Sequence, residues 1–432
     1  MTRSKRTVVE VESVDPNKYK KRVKEKDAID KLSHVELSNE QITLKDDIIK
    51  FCENGIKEYK EGDKPRVFII RGGAGTGKSV VLNSLFNDIQ QISKNGDKEV
   101  LKDTRNYLLV NHPEMIRLYH RVIKSFEWIN KSEIERPTSY INGFNKTHKG
   151  LNDIVIIDEA HLLATCKNAY KRFLGDNHLS EVIKTCKVII IVYDEEQTLR
   201  TDQYWGGIKG STSLNDILEG NVELVKEYTL REQWRMQGKG SLEVYEWIKR
   251  MCFDNEVYPY PKECIDVGDD GKTFEFKVFD NCQEMYDKIR EKDEIYGQCR
   301  MLSTYDQPYR LQGKWYVHGS GGFKLMWDKF TPGAMIPWSE RRDTIDEVGS
   351  VYTIQGLDVN YAGVIIGPSV RVESDGQLRL DVSKYEDKAG TSARGDMKRG
   401  SRLHQLAVEK MIRNSLYVLL TRPVRGLYVC FI

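Results

Sequence analysis

The chain has 432 residues, a length that two domains of roughly 150–220 residues account for better than a single core. Its 67 lysines and arginines stand against 65 aspartates and glutamates, so the formal charge is only +2; this excludes a polybasic binder and leaves a local basic groove as the source of any nucleic-acid contact. The eight cysteines, at 52, 166, 186, 252, 264, 282, 299 and 430, include no C-x-x-C pair, and no apolar run approaches the roughly 18–20 residues of a membrane span, so a reduced, soluble, cytoplasmic protein is expected.

Residues 1–34 form a charged N-terminal arm in which Lys18, Lys20, Lys21, Arg22, Lys24, Glu25, Lys26 and Asp27 read as a solvated tail or exposed helix. Over residues 35–225, short β-branched runs alternate with amphipathic stretches, the texture of a parallel α/β domain. Strands are expected at Val67–Ile70, Tyr107–Asn111, Ile154–Ile157 and Val188–Tyr193, each nearly continuous in apolar residues as strands covered on both faces must be.

Between the first strand and the helix-like stretch from Val80 to Phe86 lies Gly-Gly-Ala-Gly-Thr-Gly-Lys-Ser, residues 72–79, a G-x-x-x-x-G-K-[ST] phosphate loop. Its glycines let the backbone N–H groups of Gly73, Ala74, Gly75, Thr76 and Gly77 curl around a phosphate, and the following helix turns its positive end to the anion. Lys78 would neutralise the β- and γ-phosphates and Ser79 would ligate Mg²⁺, so ATP with Mg²⁺ is the expected ligand.

The third strand runs into Asp158-Glu159-Ala160-His161. An Asp at the carboxyl end of a buried strand can hold a Mg²⁺ water shell beside Ser79, and the next residue can polarise an attacking water. Asp158 is therefore expected to bind metal and Glu159 to act as general base. Two roles are open to His161: coupling the nucleotide site to a moving neighbour, or satisfying backbone groups in the turn.

After a break near 218–228 the pattern repeats over residues 226–432. Strands are expected at Phe274–Phe279, Gln298–Ser303, Gly349–Thr353, Gly363–Ile366, Leu416–Leu420 and Gly426–Ile432. Two irregular insertions interrupt them: an aromatic and basic one at about 306–345, and a polar one at about 371–403 that reads as a mobile insertion or lid. The chain shows no internal repeat and no low-complexity tract.

Phosphate loop plus Asp-Glu-Ala-His resembles a superfamily-one helicase, and four further stretches, with an upstream glutamine, match that family's motifs in order. Gln41 resembles the glutamine that reads the adenine edge. Asp194-Glu195-Glu196-Gln197 is similar to the third motif, Leu230-Arg231-Glu232-Gln233-Trp234-Arg235 to the fourth, Val351 to Asp358 to the fifth and Asn414 to Arg422 to the sixth. The resemblance implies two tandem RecA-like P-loop NTPase domains with parallel sheets and small insertions. It makes Gln197 a sensor of the γ-phosphate, Arg235 a ligand of it and Arg422 an arginine finger. It also sets Gly356 and Asp358 near the ribose and the bound strand.

Within that superfamily Val110-Asn111-His112-Pro113, the stretch from Pro137 to Asn142 and the ending from Leu419 to Gly426 resemble bacterial and phage ATP-binding proteins related to the helicase-like portion of Schlafen proteins. Here Pro423 follows Arg422 where the family usually carries Gly, which stiffens the finger's loop. Single-stranded DNA or RNA is the implied partner, gripped by Asn111, His112, Thr138, Arg200, Tyr204 and Gln355. For Tyr204, Trp205, Tyr305, Tyr309 and Trp315, core packing and base stacking both fit.

Two functions remain open. One is an ATP-driven helicase or single-strand translocase, in phage defence or repair; the other is an ATP-driven switch that regulates a protein partner without unwinding. A nuclease has no separate Asp/Glu/Lys constellation to support it.

Overall fold

The computed structural model describes residues 36–432, apart from 97, 148–149, 170–171, 207–212, 263–271, 310–312, 330, 332–335 and 395–396. The arm expected at 1–34 lies outside the described residues.

Six strands build a fully parallel first sheet: β1 (Arg66–Arg71), β2 (Asn106–Val110), β3 (Ile134–Glu135), β4 (Asn152–Asp158), β5 (Cys186–Tyr193) and β6 (Leu224–Thr229), in the order β3-β2-β4-β5-β1-β6. Their connections carry α1 (Asn39–Glu58) ahead of β1, then α2 (Lys78–Asn95), α3 (Pro113–Val122), α4 (Pro137–Thr147), α5 (His178–Ile183) and α6 (Leu214–Leu218). The apolar runs are continuous because both faces are covered. Phe68, Ile70, Ile154, Ile156, Val188 and Ile190 enter one core, while Val67, Ile69, Val155, Ile157, Ile189 and Ile191 enter the core on the opposite face.

A second sheet follows, made of β7 (Glu275–Phe279), β8 (Arg300–Ser303), β9 (Tyr316–His318), β10 (Lys324–Trp327), β11 (Glu347–Gly349) and β12 (Val359–Ile366). Two short strands, β13 (Val370–Val372) and β14 (Leu378–Leu380), form a separate hairpin, and β15 (Pro423–Phe431) completes the larger sheet. The order is β7-β15-β12-β8-β11-β10-β9, parallel throughout except where β9 meets β10. Helices α7 (Ser241–Lys249), α8 (Cys282–Tyr296), α9 (Val351–Ile354) and α10 (Arg402–Leu420) pack around it. One of the two large cores runs without a break from the first sheet into the second, joining Phe68 and Leu82 to Trp247, Phe276 and Tyr417.

The structure corrects several sequence expectations. Leu416–Leu420 is not a strand but the last turns of α10, and all five residues are buried. A short apolar run has no periodicity of its own, so a helix buried on every side imitates a strand. At 349–353 the strand stops at Gly349; Ser350 then caps α9, its Oγ accepting from the Tyr352 N–H at 3.2 Å. The break expected near 218–228 contains β6, an exposed edge strand paired with β1, so a boundary at 225/226 falls inside a strand of the first sheet. Beyond the hairpin of β13 and β14, residues 385–394 form a strap lying against the first half of the chain rather than a free lid: the Thr201 N–H donates to the Gly390 carbonyl at 2.8 Å, and Thr201 Oγ1 to the Ser392 carbonyl at 2.6 Å.

Candidate nucleotide site between the two sheets

Parallel sheets gather functional residues at the carboxyl ends of their strands, and the phosphate loop follows β1 there. Gly75 and Gly77 take φ of +82° and +78°, backbone that a side chain would strain, and Gly77 opens α2 with no side-chain cap. Lys78, the first residue of the helix, turns back over the loop: its Nζ donates to the carbonyls of Gly72 at 2.6 Å and Gly73 at 2.8 Å and pairs with Asp194 Oδ2 at 3.1 Å.

Asp194 stands just past β5 and is the start of a buried relay. Gln197 Nε2 donates to Asp194 Oδ2 at 2.6 Å, and Arg422 Nη2 donates to Gln197 Oε1 at 2.8 Å. The relay thus links the phosphate-loop lysine of the first sheet to the arginine that precedes β15 in the second. Burial, with Arg235 nearby, lowers the Arg422 guanidinium to about 10, which leaves it charged at neutral pH. Arg422 also donates from Nε to the Val418 carbonyl at 3.0 Å, so its fork is aimed by its own helix.

At the end of β4, Asp158 is fully buried; Tyr119 donates its hydroxyl to Oδ2 at 2.5 Å, and the Glu159 N–H donates to Oδ1 at 3.0 Å. Burial and the neighbouring Glu159 charge push Asp158 up to about 7. Burial would raise Glu159 too, but His161 Nε2, 3.0 Å from Glu159 Oε2, together with Lys78 and Arg422 holds it well below the usual carboxylate range, at about 2. His161 therefore sits against Glu159. Glu159 adopts φ 50° and ψ 49°, a left-handed backbone that costs a side-chain-bearing residue on the order of 1–2 kcal/mol. That turn swings its carboxylate into the cleft while Asp158 stays behind it.

The cleft has a volume of about 1320 Å³ and is lined from both sheets, by Gln41, the loop, Glu159 and Gln197 on one side and by Arg235, Gly356, Asp358 and Arg422 on the other. Gln41 is the N3 residue of a capping box with Ser38, and its Nε2 lies so close to Gly77 that a Cβ there would stand 2.5 Å away. Arg235 forms an ion pair with Asp358 and donates from Nη1 to the Thr421 carbonyl at 3.4 Å, so these two expected ligands hold each other. Of the two expected metal ligands only Ser79 lines the cleft; Asp158 lies behind it, both of its oxygens held by Tyr119 and the Glu159 N–H. That placement suits Mg²⁺, which keeps most of its waters and leans on substrate phosphates. Among the described residues no cluster of three or more His, Cys, Asp or Glu could hold a metal ion by itself.

Three contributors escaped the sequence reading. Asp194 carried no assigned role, although the rule that selects Asp158, an acid directly after a buried strand, selects it as well. Trp234 is 51 % exposed, lines the cleft and is fixed beside the loop by its N–H donating to the Gly75 carbonyl at 2.8 Å. Tyr119, on α3, gave no local signal, since its partner lies 39 residues away.

The expected strand contacts are engaged by the chain itself. Asn111 donates to the Leu162 carbonyl, and His112 caps α3, its Nδ1 accepting from the Met115 N–H at 3.3 Å. Burial lowers His112 to about 4, which keeps it neutral as an acceptor must be. Thr138 Oγ1 meets His178 Nε2 at 2.9 Å. Arg200 reaches the Ala389 carbonyl of the strap at 3.4 Å and lies over the Tyr352 ring at 5.7 Å; Tyr204 is buried in a small cluster with Met397, Ala407 and Met411. Gln355 donates to the Gln197 carbonyl at 3.2 Å, which joins it to the nucleotide relay. Trp205 and Tyr305 are buried against Tyr193 and Trp327, and Tyr309 and Trp315 pack partly buried on the larger core. No helix among the described residues is long and apolar enough to cross a membrane.

Known proteins resemble the chain over most of its length. The model of the Schlafen group 3 DNA/RNA helicase domain matches residues 65–432. An uncharacterized protein of Saccharomyces cerevisiae is 47 % identical over 414 residues, which cover 93 % of this chain and 90 % of that one. This relative lies outside the bacterial and phage grouping expected from the narrower motifs. Among solved structures, C. elegans PCH-2 overlaps 52 % of this chain and 51 % of its own at 15 % identity and a TM-score of 0.26, too slight a likeness to support any statement about fold.

Proposed function

Because this chain belongs to the Schlafen group 3 DNA/RNA helicase domain family, we propose that it is a Mg²⁺-dependent ATPase whose two halves, a tandem pair of RecA-like domains, work on single-stranded nucleic acid as a helicase or translocase. The observation that carries this reading is the buried relay from Lys78 through Asp194 and Gln197 to Arg422, which crosses from one sheet to the other at the mouth of the phosphate loop. In this reading Lys78 exchanges its loop carbonyls and Asp194 for the β- and γ-phosphates, which frees Asp194 and Gln197 to reorganise. The relay then reports phosphate occupancy to Arg422.

Glu159, kept ionised and held in place by His161, orients the attacking water by accepting its hydrogen bond. Arg422 and Arg235 neutralise charge that develops on the transferred phosphoryl group. Ser79 and Asp158 would hold a hydrated Mg²⁺, which supplies further charge neutralisation at the phosphates. The Trp234 ring and the Gln41 amide present a flat apolar face and a hydrogen-bonding edge for a purine base.

One observation favours a second reading, an ATP-driven switch acting on a protein partner. The surface around Arg200, Thr201 and Tyr204 is covered by the chain's own strap. The discriminating measurement is ATP turnover with and without single-stranded DNA and RNA. Stimulation by either polymer, lost in Lys78→Ala, supports the translocase. Turnover that depends on Lys78 but ignores both polymers supports the switch.

A further inference from the structure

Toward and just past its C-terminal end, helix α10 makes three polar contacts with the first half of the chain, beyond the packing of Ala407 and Met411 on Tyr204. Asn414 Nδ2 donates to the carbonyls of Glu195 at 3.0 Å and Thr198 at 2.8 Å; one turn on, Tyr417 meets the phosphate loop; just beyond the helix end, Arg422 meets Gln197. The middle contact falls on the loop itself. The Ala74 N–H donates to the Tyr417 hydroxyl at 3.1 Å, and that hydroxyl lies 2.8 Å from the hydroxyl of Tyr245 on α7.

The Tyr417 oxygen accepts from Ala74, and within the hydroxyl pair either tyrosine can donate to the other. A Cβ at Gly73 would stand 2.4 Å from the Tyr245 hydroxyl and 3.1 Å from that of Tyr417, so the loop needs glycine there for the pair to approach. Both rings are buried, with Tyr417 packed on Phe253 at 5.2 Å. Burial pushes the Tyr245 hydroxyl up to about 12 and that of Tyr417 higher, so both stay protonated. The Tyr417 carbonyl in turn accepts from the Thr421 N–H at 3.1 Å and from Thr421 Oγ1 at 2.7 Å, one residue before Arg422.

We propose that Tyr417 and Tyr245 form a latch that fixes the head of the phosphate loop relative to α10, the helix that leads into Arg422, so that the loop is shaped for a triphosphate only while α10 is seated. The latch rests on the nucleotide-hydrolase reading above. Its residues position the loop and touch no substrate. A backbone amide that would otherwise swing freely is held in the cradle geometry before ligand arrives, which lowers the ordering cost of binding.

The test uses the full chain and two readouts: hydrogen exchange of the 72–79 loop in nucleotide-free protein, and affinity for Mg²⁺-ATP. Tyr417→Phe keeps the ring and removes the hydroxyl. It is expected to speed loop exchange and weaken ATP binding about fivefold, the size of one net hydrogen bond. Tyr245→Phe should shift both in the same direction by less, and the double variant should be no weaker than Tyr417→Phe, because both act through one bond. Unchanged exchange with ATP affinity within about twofold of wild type overturns the latch, as does additivity of the two variants or a loss of thermal stability with affinity untouched. Wild-type protein that binds no nucleotide overturns the hydrolase reading, and the latch falls with it; wild-type binding with an unaltered Tyr417→Phe overturns the latch alone.

Discussion

The nucleotide cleft and the expected strand track lie side by side, yet their polar residues are spent differently. In the cleft, side chains from both sheets meet around a cavity of about 1320 Å³. Lys78 and Arg422 are held through Asp194 and Gln197 in bonds whose acceptors a ligand's phosphates can replace in kind. Along the track, Asn111, His112, Thr138 and Arg200 satisfy carbonyls, caps and neighbouring side chains of the chain itself, and Tyr204 is packed away. Charged groups held around a cavity can exchange partners with a ligand, whereas groups satisfied by their own backbone give structure first. The nucleotide half of the proposed function thus stands on geometry, and the nucleic-acid half on family membership.

The comparison is sharpened most by Arg422→Ala. If the relay serves hydrolysis, turnover should fall by about 10³-fold or more with ATP affinity changed far less, as measured by single-turnover hydrolysis beside equilibrium binding. A loss of both together would mean that Arg422 only staples the halves. Glu159→Gln should cut turnover by about 10²–10⁴-fold while the variant still binds ATP; near-wild-type turnover would remove Glu159 from the chemistry. The smallest effect tests the other side: Tyr204→Ala should lower the melting temperature by several degrees, as an aromatic deletion in a packed cluster does, with nucleotide affinity unchanged. If instead it weakened binding of single-stranded nucleic acid without loss of stability, the ring would be a stacking platform after all.

The legible parts of the sequence were those whose chemistry is contiguous. The phosphate loop lies between an apolar run and a helix, and Asp158 and Glu159 end another apolar run, so strand, turn and function occupy a dozen residues each. The interior strands of the first sheet, and β8, β12 and β15 of the second, were legible for the same reason, whereas β10 falls in the stretch at 306–345 that reads as irregular. Illegible features depend on residues distant in the chain: Tyr417 lies 343 residues from the amide it accepts from, and Tyr119 lies 39 from Asp158. Leu416–Leu420 misled because a helix buried all round loses its polar face. Strand β6 reads as a break in the sequence because an edge strand, exposed along most of its length, loses its apolar signature.

The left-handed backbone at Glu159 has a consequence for selection as well as for chemistry. Glycine adopts φ near 50° without penalty, so Glu159→Gly should be more stable than Glu159→Ala by about 1 kcal/mol in denaturant titration, while both lose the carboxylate that His161 holds. The strain is relieved only by giving up the carboxylate, so an engineer seeking a hardier protein by consensus or screening should leave residue 159 untouched.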